Sequence, residues 1–374
     1  MIIELHLLQS FPVSNLNRDD INQPKSATFG GYTRGRISSQ CLKRSARLLF
    51  RDYGLAADQT GVRTKRLLTQ VVDVLVDAGR DAGEATGVVQ AALHSLGFGV
   101  DDTTHLTQYL LYVGRSTIDL LADYSQSHWD DLAAVTAARG SARATKVKPD
   151  KATLAEAKRI LDASRAADVA LFGRMIADNK DFNVTAASQV AHALSTHAVT
   201  NEFDFYTAVD DLRPDSESGA DMLGTIDFNA ACYYRYTNVD LTQLATNLDG
   251  DIELVARTAR AWLHAFINAV PSGKQNAMAA RTMPETLLGV VREHGAWNLA
   301  NAFLNPITPG EDVMAASTNA LINHFDRLCD FYGHDGIRTA TAANLNNNLP
   351  AMEHVTATRN VTTFVDHLLA ATAA

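Results

Sequence analysis

Polar and apolar positions alternate from residue 2 to residue 11, with Ile3, Leu5 and Leu7 on one side and Glu4 and His6 on the other, the period of a half-buried strand. A polar loop is expected over roughly 12 to 37, because Pro12, Asn15, Asn17, Asn22, Pro24, Gly30 and Gly31 punctuate regular structure there. Ser38 or Ser39 then caps a helix from about Gln40 to Tyr53, with Gly54 as its stop signal. Leu42, Ala46, Leu49, Phe50 and Tyr53 recur at helical spacing on one face of it.

From about 56 to 180 the chain is rich in Ala, Asp, Leu and Val and reads as almost wholly helical, for example over 63–79, 104–123 and 150–177, which suggests an inserted helical lobe. A short helix is expected at 186–198 and a long loop at 200–224, where Ser, Asp and Gly accompany the aromatic residues Phe203, Phe205 and Tyr206. Residues 225–241 read as a strand, and 251–270 as an amphipathic helix with Ile252, Val255, Ala259, Phe266 and Val270 inward. The glycine-containing loop PSGKQNAMAART, an apolar strand near 286–291 and helices near 311–331 and 351–371 complete the pattern. With the insertion set aside, the order strand, helix, strand, helix, strand is compatible with a ferredoxin-like or RNA-recognition-motif core. There is no internal repeat.

Length changes this picture little: 374 residues exceed one compact core and fit a main domain with a large insertion or second lobe. Charge changes it more. The formal net charge is −9, yet Arg18 to Arg51 contains eight Lys or Arg and only Asp19 and Asp20 against them, a surplus of six that leaves about −15 on the remainder. On the helix that begins near Gln40, this surplus forms a stripe of Gln40, Lys43, Arg44, Arg47 and Arg51 opposite the apolar face. The helix start, with its amides and the Ser38 and Ser39 hydroxyls, would also suit a phosphate. A solvated cationic face with no ligand is the alternative, although like charges without carboxylate partners repel along a helix. A second basic run, Arg139, Arg143, Lys146, Lys148 and Lys151 against Asp150, falls in an expected loop that could equally be a solvated linker.

Other chemistry is sparse. Cys41, Cys232 and Cys329 are too dispersed for a disulfide framework or a zinc pair and read as reduced thiols. No apolar run is long enough to span a membrane, and MIIELHLLQSF has neither a basic flank nor a cleavage site, so a cytoplasmic protein is expected. No Walker loop, GxSxG elbow, HExxH or dinucleotide fingerprint is present. Gly273 to Gln275 lack the spacing of a P-loop, leaving an RNA phosphate cradle or a plain connecting loop. His192 and His197, five apart on the expected helix, would be rotated by roughly 140° and poorly placed to share a metal, so both read as structural. Asp19–Asp20 and Asp210–Asp211 stand where turns or caps are expected. Neither a metal site, a cofactor site nor a catalytic set is expected.

LNRDDINQPKSATFGGYTRGRISSQCLKR closely resembles the signature of the CasC family, the guide-RNA-binding backbone subunit of the type I-E CRISPR surveillance complex Cascade. The similarity extends to MIIELHLLQSFPVSNLNRDD, SQVAHALSTHAVTNEFDFYTAVDDL, FNAACYYRYTNVDL and PSGKQNA, in the family's order, and is weak over 56–170 and the last hundred or so residues. The resemblance implies an α+β fold: an RNA-recognition-motif (ferredoxin-like) palm from 1–55, 181–199 and 225–374, a large helical finger insertion at 56–180 and a long thumb loop at 200–224. It implies copies stacked as a hexameric helical backbone along one CRISPR RNA, thumbs that displace a base at regular intervals, and target DNA paired to the remaining bases. The other Cascade subunits (large, small, guide-end-binding and guide-processing) and a recruited helicase-nuclease would be partners, with no membrane and no catalysis by this chain.

Carried over by position, guide contacts fall on Arg18, Lys25, Ser38, Gln40, Lys43, Arg44, Arg47 and Lys274. Met175, Phe205, Tyr206 and Thr207 would wedge at the displaced base, a stacking contact worth about 1–3 kcal/mol. The family often carries tryptophan at the place of Phe205 and phenylalanine at that of Tyr206. Lys146, Lys148 and Lys151 resemble a basic element that holds duplex DNA. The acidic thumb residues Asp204, Asp210, Asp211, Asp215, Glu217 and Asp221 would meet a neighbouring copy's basic surface in open, head-to-tail association. Two rival readings remain: a metal-dependent endoribonuclease that cuts target RNA with Asp204, Asp210 or Asp211, as in related type III subunits, and a guide-processing ribonuclease using His192 or His197.

Overall fold

The computed structural model describes residues 1–139, 151–162, 165–176, 180–208, 222–308, 310 and 312–373. The N-terminal alternation forms strand β1 (Ile2–Ser14). It is buried along most of its length rather than on one face only, and it pairs antiparallel with a neighbour on each edge, which satisfies its backbone groups. Its polar positions are satisfied internally, which is why Glu4 and His6 tolerate full burial. Glu4 is 2.9 Å from Arg292 Nε and accepts from Tyr236 Oη at 2.8 Å. His6 Nδ1 lies 2.9 Å from Tyr234 Oη.

Where a loop was expected, β2 (Ser26–Phe29) and β3 (Tyr32–Ile37) form a hairpin. Its two-residue turn is Gly30–Gly31, both at positive φ, the geometry whose twist matches the flanking strands. A Cβ on Gly30 would fall 1.9 Å from the carbonyl oxygen of Leu304, so only glycine fits there. Helix α1 (Ser39–Leu49) follows, with Leu42, Ala46 and Phe50 buried.

The chain then passes through β4 (Gly61–Thr64), α2 (Leu67–Asp77), α3 (Ala82–Ser95), β5 (Leu111–Gly114), α4 (Ser116–Ser127), α5 (Trp129–Arg139), α6 (Lys151–Ile160) and α7 (Ala167–Phe172). The segment is mainly helical, but the helix expected over 104–123 begins only at Ser116, because Leu111–Gly114 pair with β4 as an antiparallel ribbon. Residues expected as a helix at 186–198 instead form β6 (Ser188–Val190) and β7 (Ala193–Ser195). Apolar spacing in so short a segment fits either state, and pairing with a long neighbouring strand decides it.

The expected loop at 200–224 begins as a strand, β8 (Glu202–Ala208), paired with the start of β9 (Met222–Asp240). After β9 come α8 (Leu241–Asn247), α9 (Ile252–Asn268), the short α10 (Gln275–Met278), β10 (Thr286–Arg292), α11 (Val313–Tyr332), β11 (Ile337–Asn344), β12 (Thr356–Ala357) and α12 (Val361–Ala373). β11 had no counterpart in the sequence pattern.

Two compact units result. The first comprises Met1–Tyr53, Ser188–Thr242 and Ala259–Ala374. Its sheet runs β12-β11-β10-β1-β9-β7-β3-β2, with β6 and β8 also on β9, and every pair is antiparallel except β11–β12. One core cluster gathers Leu8, Tyr234, Leu288, Val290, Leu321 and Phe325; another gathers Phe11, Leu16, Ile37, Leu42, Ala193 and Tyr233 beneath α1. The second unit comprises Gly54–Ala187 and Gln243–Thr258, built on the packed faces of α2, α3 and α4 around Leu68, Val71, Val88, Val89 and Leu121. Among the described residues no helix is long and apolar enough to cross a membrane.

Candidate nucleic-acid interface

The short loop Asn15–Asn17, at the end of β1, organises the basic residues of the first unit. Asn15 fastens it by donating to the carbonyls of Asn22 and Asp227 at 3.0 and 2.8 Å. Asn17 Oδ1 accepts the Ser38 amide at 2.8 Å, and the Asn17 carbonyl accepts the Lys25 amide at 2.9 Å. Gly273 presses onto the same loop so closely that a Cβ would stand 2.3 Å from the Leu16 carbonyl oxygen. Lys274, exposed and held in the left-handed region at φ 51°, follows directly. The loop therefore brings Lys25, Ser38 and the Lys274 turn to one place, with exposed Arg18 immediately after Asn17.

Asp19 is spent on the turn, its Oδ1 accepting the amides of Ile21 and Gln23 at 3.0 and 2.9 Å. That agrees with the turn role expected for it.

From Ser38 the basic surface continues along α1. Ser38 caps the helix, its Oγ accepting the Cys41 amide at 3.3 Å. Gln40, Arg44 and Arg51 are exposed, while Lys43 and Arg47 are half-buried along the flank of the helix. Partial burial of the Cys41 thiol raises its pKa, and the Lys25 and Arg44 cations oppose that rise.

The helix start is largely satisfied from within. Four amides at its start have partners within the protein: Ser38 on Asn17, Ser39 on His192, Cys41 on Ser38 Oγ and Leu42 on the Ser38 carbonyl.

One correction concerns Arg34. Counted with the surface cations in the sequence, it is 0% exposed. Its guanidinium donates to the carbonyls of Ser195, Phe303 and Leu304 at 2.9, 2.8 and 3.4 Å, fixing the hairpin to the loops behind it. Two residues later on the same face, Arg36 reaches the surface instead.

Sequence reasoning missed the residue that meets Arg36. His192 lies in the turn between β6 and β7, not on a helix, and its Nδ1 is 3.2 Å from Arg36 Nη1 and 3.4 Å from the Ser39 amide. Partial burial, then the Arg36 and Lys25 cations, lower its pKa. His197 is structural: one ring nitrogen meets the Ala198 carbonyl at 2.9 Å and the other accepts the Cys232 amide at 3.3 Å.

The aromatic group of the expected thumb stands on the β8–β9 ribbon, whose β8 residues are all exposed. Phe203 and Phe205, 73% and 59% exposed, share a face with Thr207, while Asp204 and Tyr206 occupy the other. The Tyr206 ring lies across Gly224 of β9. Asp210, Asp211, Asp215, Glu217 and Asp221 lie outside the described residues.

In the second unit, Met175 is 85% exposed and is not on a helix. Its neighbours hold it out: buried Arg174 donates to the carbonyls of Phe182 and Leu161 at 2.8 and 3.0 Å, and the Ile176 amide donates to Asn183 Oδ1 at 2.7 Å. Lys151 is exposed at the first residue of α6, and Lys146 and Lys148 lie outside the described residues.

Among the described residues, one group of side chains has metal-ligand spacing: Asp330, Glu353 and His354, with ligand atoms within 4.8 Å of one another. The two carboxylates are exposed, and Asp330 Oδ1 already pairs with His354 Nε2 at 3.2 Å.

A family model described as CT1975-like protein matches residues 3–368. No curated protein matches the chain. Among solved structures it is similar to a chain of a CRISPR RNA-guided surveillance complex described as pre-nicking, with 29% identity over 99% of this chain and 100% of that one and a TM-score of 0.88. A chain of another CRISPR RNA-guided surveillance complex is 25% identical over the same shares, with a TM-score of 0.78. The chain belongs to the family of CT1975-like proteins, the CasC-like family that its motifs resemble.

Proposed function

We propose that this chain is a non-catalytic, guide-RNA-binding backbone subunit of a type I-E Cascade complex in the cytoplasm, polymerising along the CRISPR RNA and presenting its bases to target DNA. The observation that carries this reading is the convergence of Arg18, Lys25, Ser38 and the Lys274 turn on the Asn15–Asn17 loop, continued along α1 by Gln40, Lys43, Arg44 and Arg47. Lysine and arginine on exposed or half-buried positions suit phosphates and read no sequence, which a subunit that accepts any spacer requires. Base pairing then supplies the sequence specificity. The similarity to chains of two CRISPR RNA-guided surveillance complexes supports the same assignment.

In this reading the sheet of the first unit is an RNA-recognition-type palm, the second unit carries the fingers, and the β8–β9 ribbon is the base of the thumb. Phe205, Tyr206 and Thr207, with Met175, act at the displaced base, and Lys146, Lys148 and Lys151 hold DNA. The partners are the guide, target DNA, further copies of the chain in a hexameric backbone, the large, small, guide-end-binding and guide-processing subunits, and a recruited helicase-nuclease.

The test is co-expression with a repeat-spacer transcript and the other Cascade subunits, followed by sizing and sequencing of the RNA that co-purifies. A protected guide of uniform length with the unaltered chain, lost with Lys43→Glu/Arg47→Glu, is the expected result. Equal RNA content in both would refute guide binding along α1.

A further inference from the structure

Arg36 and Lys25 form no ion pair with a carboxylate among the described residues, although they stand side by side: the Arg36 amide donates to the Lys25 carbonyl at 2.8 Å. The third member of this corner is His192. A guanidinium and a backbone amide can only donate, so Nδ1, facing Arg36 Nη1 and the Ser39 N–H, is the acceptor nitrogen of the ring. The proton of the neutral imidazole is then on Nε2. The ring thus takes the place an anion would occupy at the start of α1 and, on its exposed side, offers one N–H outward. A chain of donors, Ser39 N–H to imidazole to whatever accepts from Nε2, polarises in one direction and strengthens the outer bond. The two adjacent cations make that outer acceptor negatively charged by preference, and partial burial followed by those cations lowers the pKa of the ring.

We propose that Arg36 and His192 form a phosphodiester-binding notch, in which His192 Nε2–H and the outer Arg36 N–H donors hold one phosphate of the guide strand. The notch rests on the guide-binding reading and adds to it two residues that neither the sequence motifs nor the basic stripe marked as contacts. Its contribution divides by chemistry. Arg36 neutralises a phosphate and carries salt dependence, whereas His192 adds a neutral hydrogen bond that does not.

The experiment is fluorescence-anisotropy binding of the full chain to a fluorescein-labelled single-stranded RNA of mixed sequence, from about 50 to 300 mM NaCl. Wild type is compared with His192→Ala, His192→Gln, Arg36→Gln and Lys43→Glu/Arg47→Glu. His192→Ala is expected to weaken binding about tenfold at every salt concentration, a change of about 1.4 kcal/mol, with the salt slope unaltered. His192→Gln, whose amide accepts through oxygen and donates through nitrogen, restores affinity to within about twofold. Arg36→Gln lowers the log–log salt slope by about 0.7, the value for one lost single-strand phosphate contact. A structural role for His192 alone would move the melting temperature without the rescue by glutamine or the change of slope in Arg36→Gln.

Should His192→Ala fail to fold, the glutamine variant and the Arg36→Gln slope decide the matter. Wild-type affinity and slope in the His192 and Arg36 variants, with binding lost in Lys43→Glu/Arg47→Glu, would overturn the notch and leave the guide-binding reading intact. Wild-type affinity in all of them would overturn both.

Discussion

His6 gives the folded chain a pH dependence that can be worked out from its surroundings. The Tyr234 hydroxyl accepts the Leu299 amide at 2.9 Å, so its own proton goes to His6 Nδ1, 2.9 Å away, and the ring is held neutral. Burial, with Arg292 as a smaller contribution, pushes the His6 pKa down to about 3 from 6.5. The folded value lies below the unfolded one, so as pH falls the unfolded chain takes up the proton first. Stability is therefore intact above about pH 6.5 and lost progressively towards pH 3. Each pH unit in that window is worth at most about 1.4 kcal/mol, and the loss between pH 7.5 and pH 5 comes to about 2 kcal/mol.

The assay is urea unfolding followed by circular dichroism at pH 7.5, 6 and 5, for wild type and His6→Gln, in which the amide can still accept from Tyr234. Buried Glu4 acts with the opposite sign at the acid end. Burial raises its pKa above 4.5, so protonation as pH falls through the raised value favours the folded state. That contribution is common to both proteins, as are the exposed histidines, and cancels in the difference. Parallel stability–pH curves would mean that His6 titrates normally in the folded protein, and the packing around β1 would be refuted.

Three further outcomes follow, two from single substitutions and one from a pair. Arg34→Met should cost about 3 kcal/mol or more in chemical unfolding, because it orphans carbonyls that the guanidinium satisfies at 2.8 and 2.9 Å, and it should leave the salt slope of RNA binding unchanged; a loss below about 1 kcal/mol would contradict the burial. Ala279→Gly should stabilise by about 1 kcal/mol, since Ala279 sits at φ 47° where a side chain is strained, and a lower melting temperature would count against that backbone. Lys43→Ala/Arg47→Ala should reduce the log–log salt slope of RNA binding by about 1.4, two single-strand phosphate contacts at about 0.7 each; an unchanged slope would remove both residues from the guide path.

Much of the fold was legible because its long elements are strongly periodic: β1, α1, α9, β10 and α11 stand within a few residues of where the sequence places them. The misses have separate physical causes. In the β2–β3 hairpin, Gly30–Gly31 read as loop punctuation, although a glycine pair between Phe29 and Tyr32 is also a tight-turn signal. β6 and β7 owe their state to β9, a partner that no local pattern reveals. β11 is made of small residues, Thr339 to Ala343, whose polar–apolar contrast is too weak to show a period. At the candidate interface, residue types gave the cations but not their burial. Arg34 and Arg36 are equivalent by sequence, and only the carbonyls around the first and the imidazole beside the second tell them apart.

That distinction bears on how an acidic protein could hold a polyanion in one track. Arg34, Arg174, Arg235 and Arg292 are buried, as are the carboxylates of Glu4 and Asp168. Without them, the formal charge of −9 becomes −11 for the rest of the chain, and the surplus between Arg18 and Arg51 becomes five rather than six. The asymmetry therefore grows: about −16 lies outside a short segment that remains positive. In the proposed reading a phosphate backbone would be repelled by most of that surface and attracted along this basic segment, with screening over about 10 Å at 0.1 M salt. Buried Arg34, Arg174 and Arg235 direct their charge at backbone carbonyls and Arg292 at the Glu4 carboxylate, so they add little to this field. A protein arranged in this way would confine a strand by position without reading its bases, and raising the salt would weaken the attraction and the exclusion together.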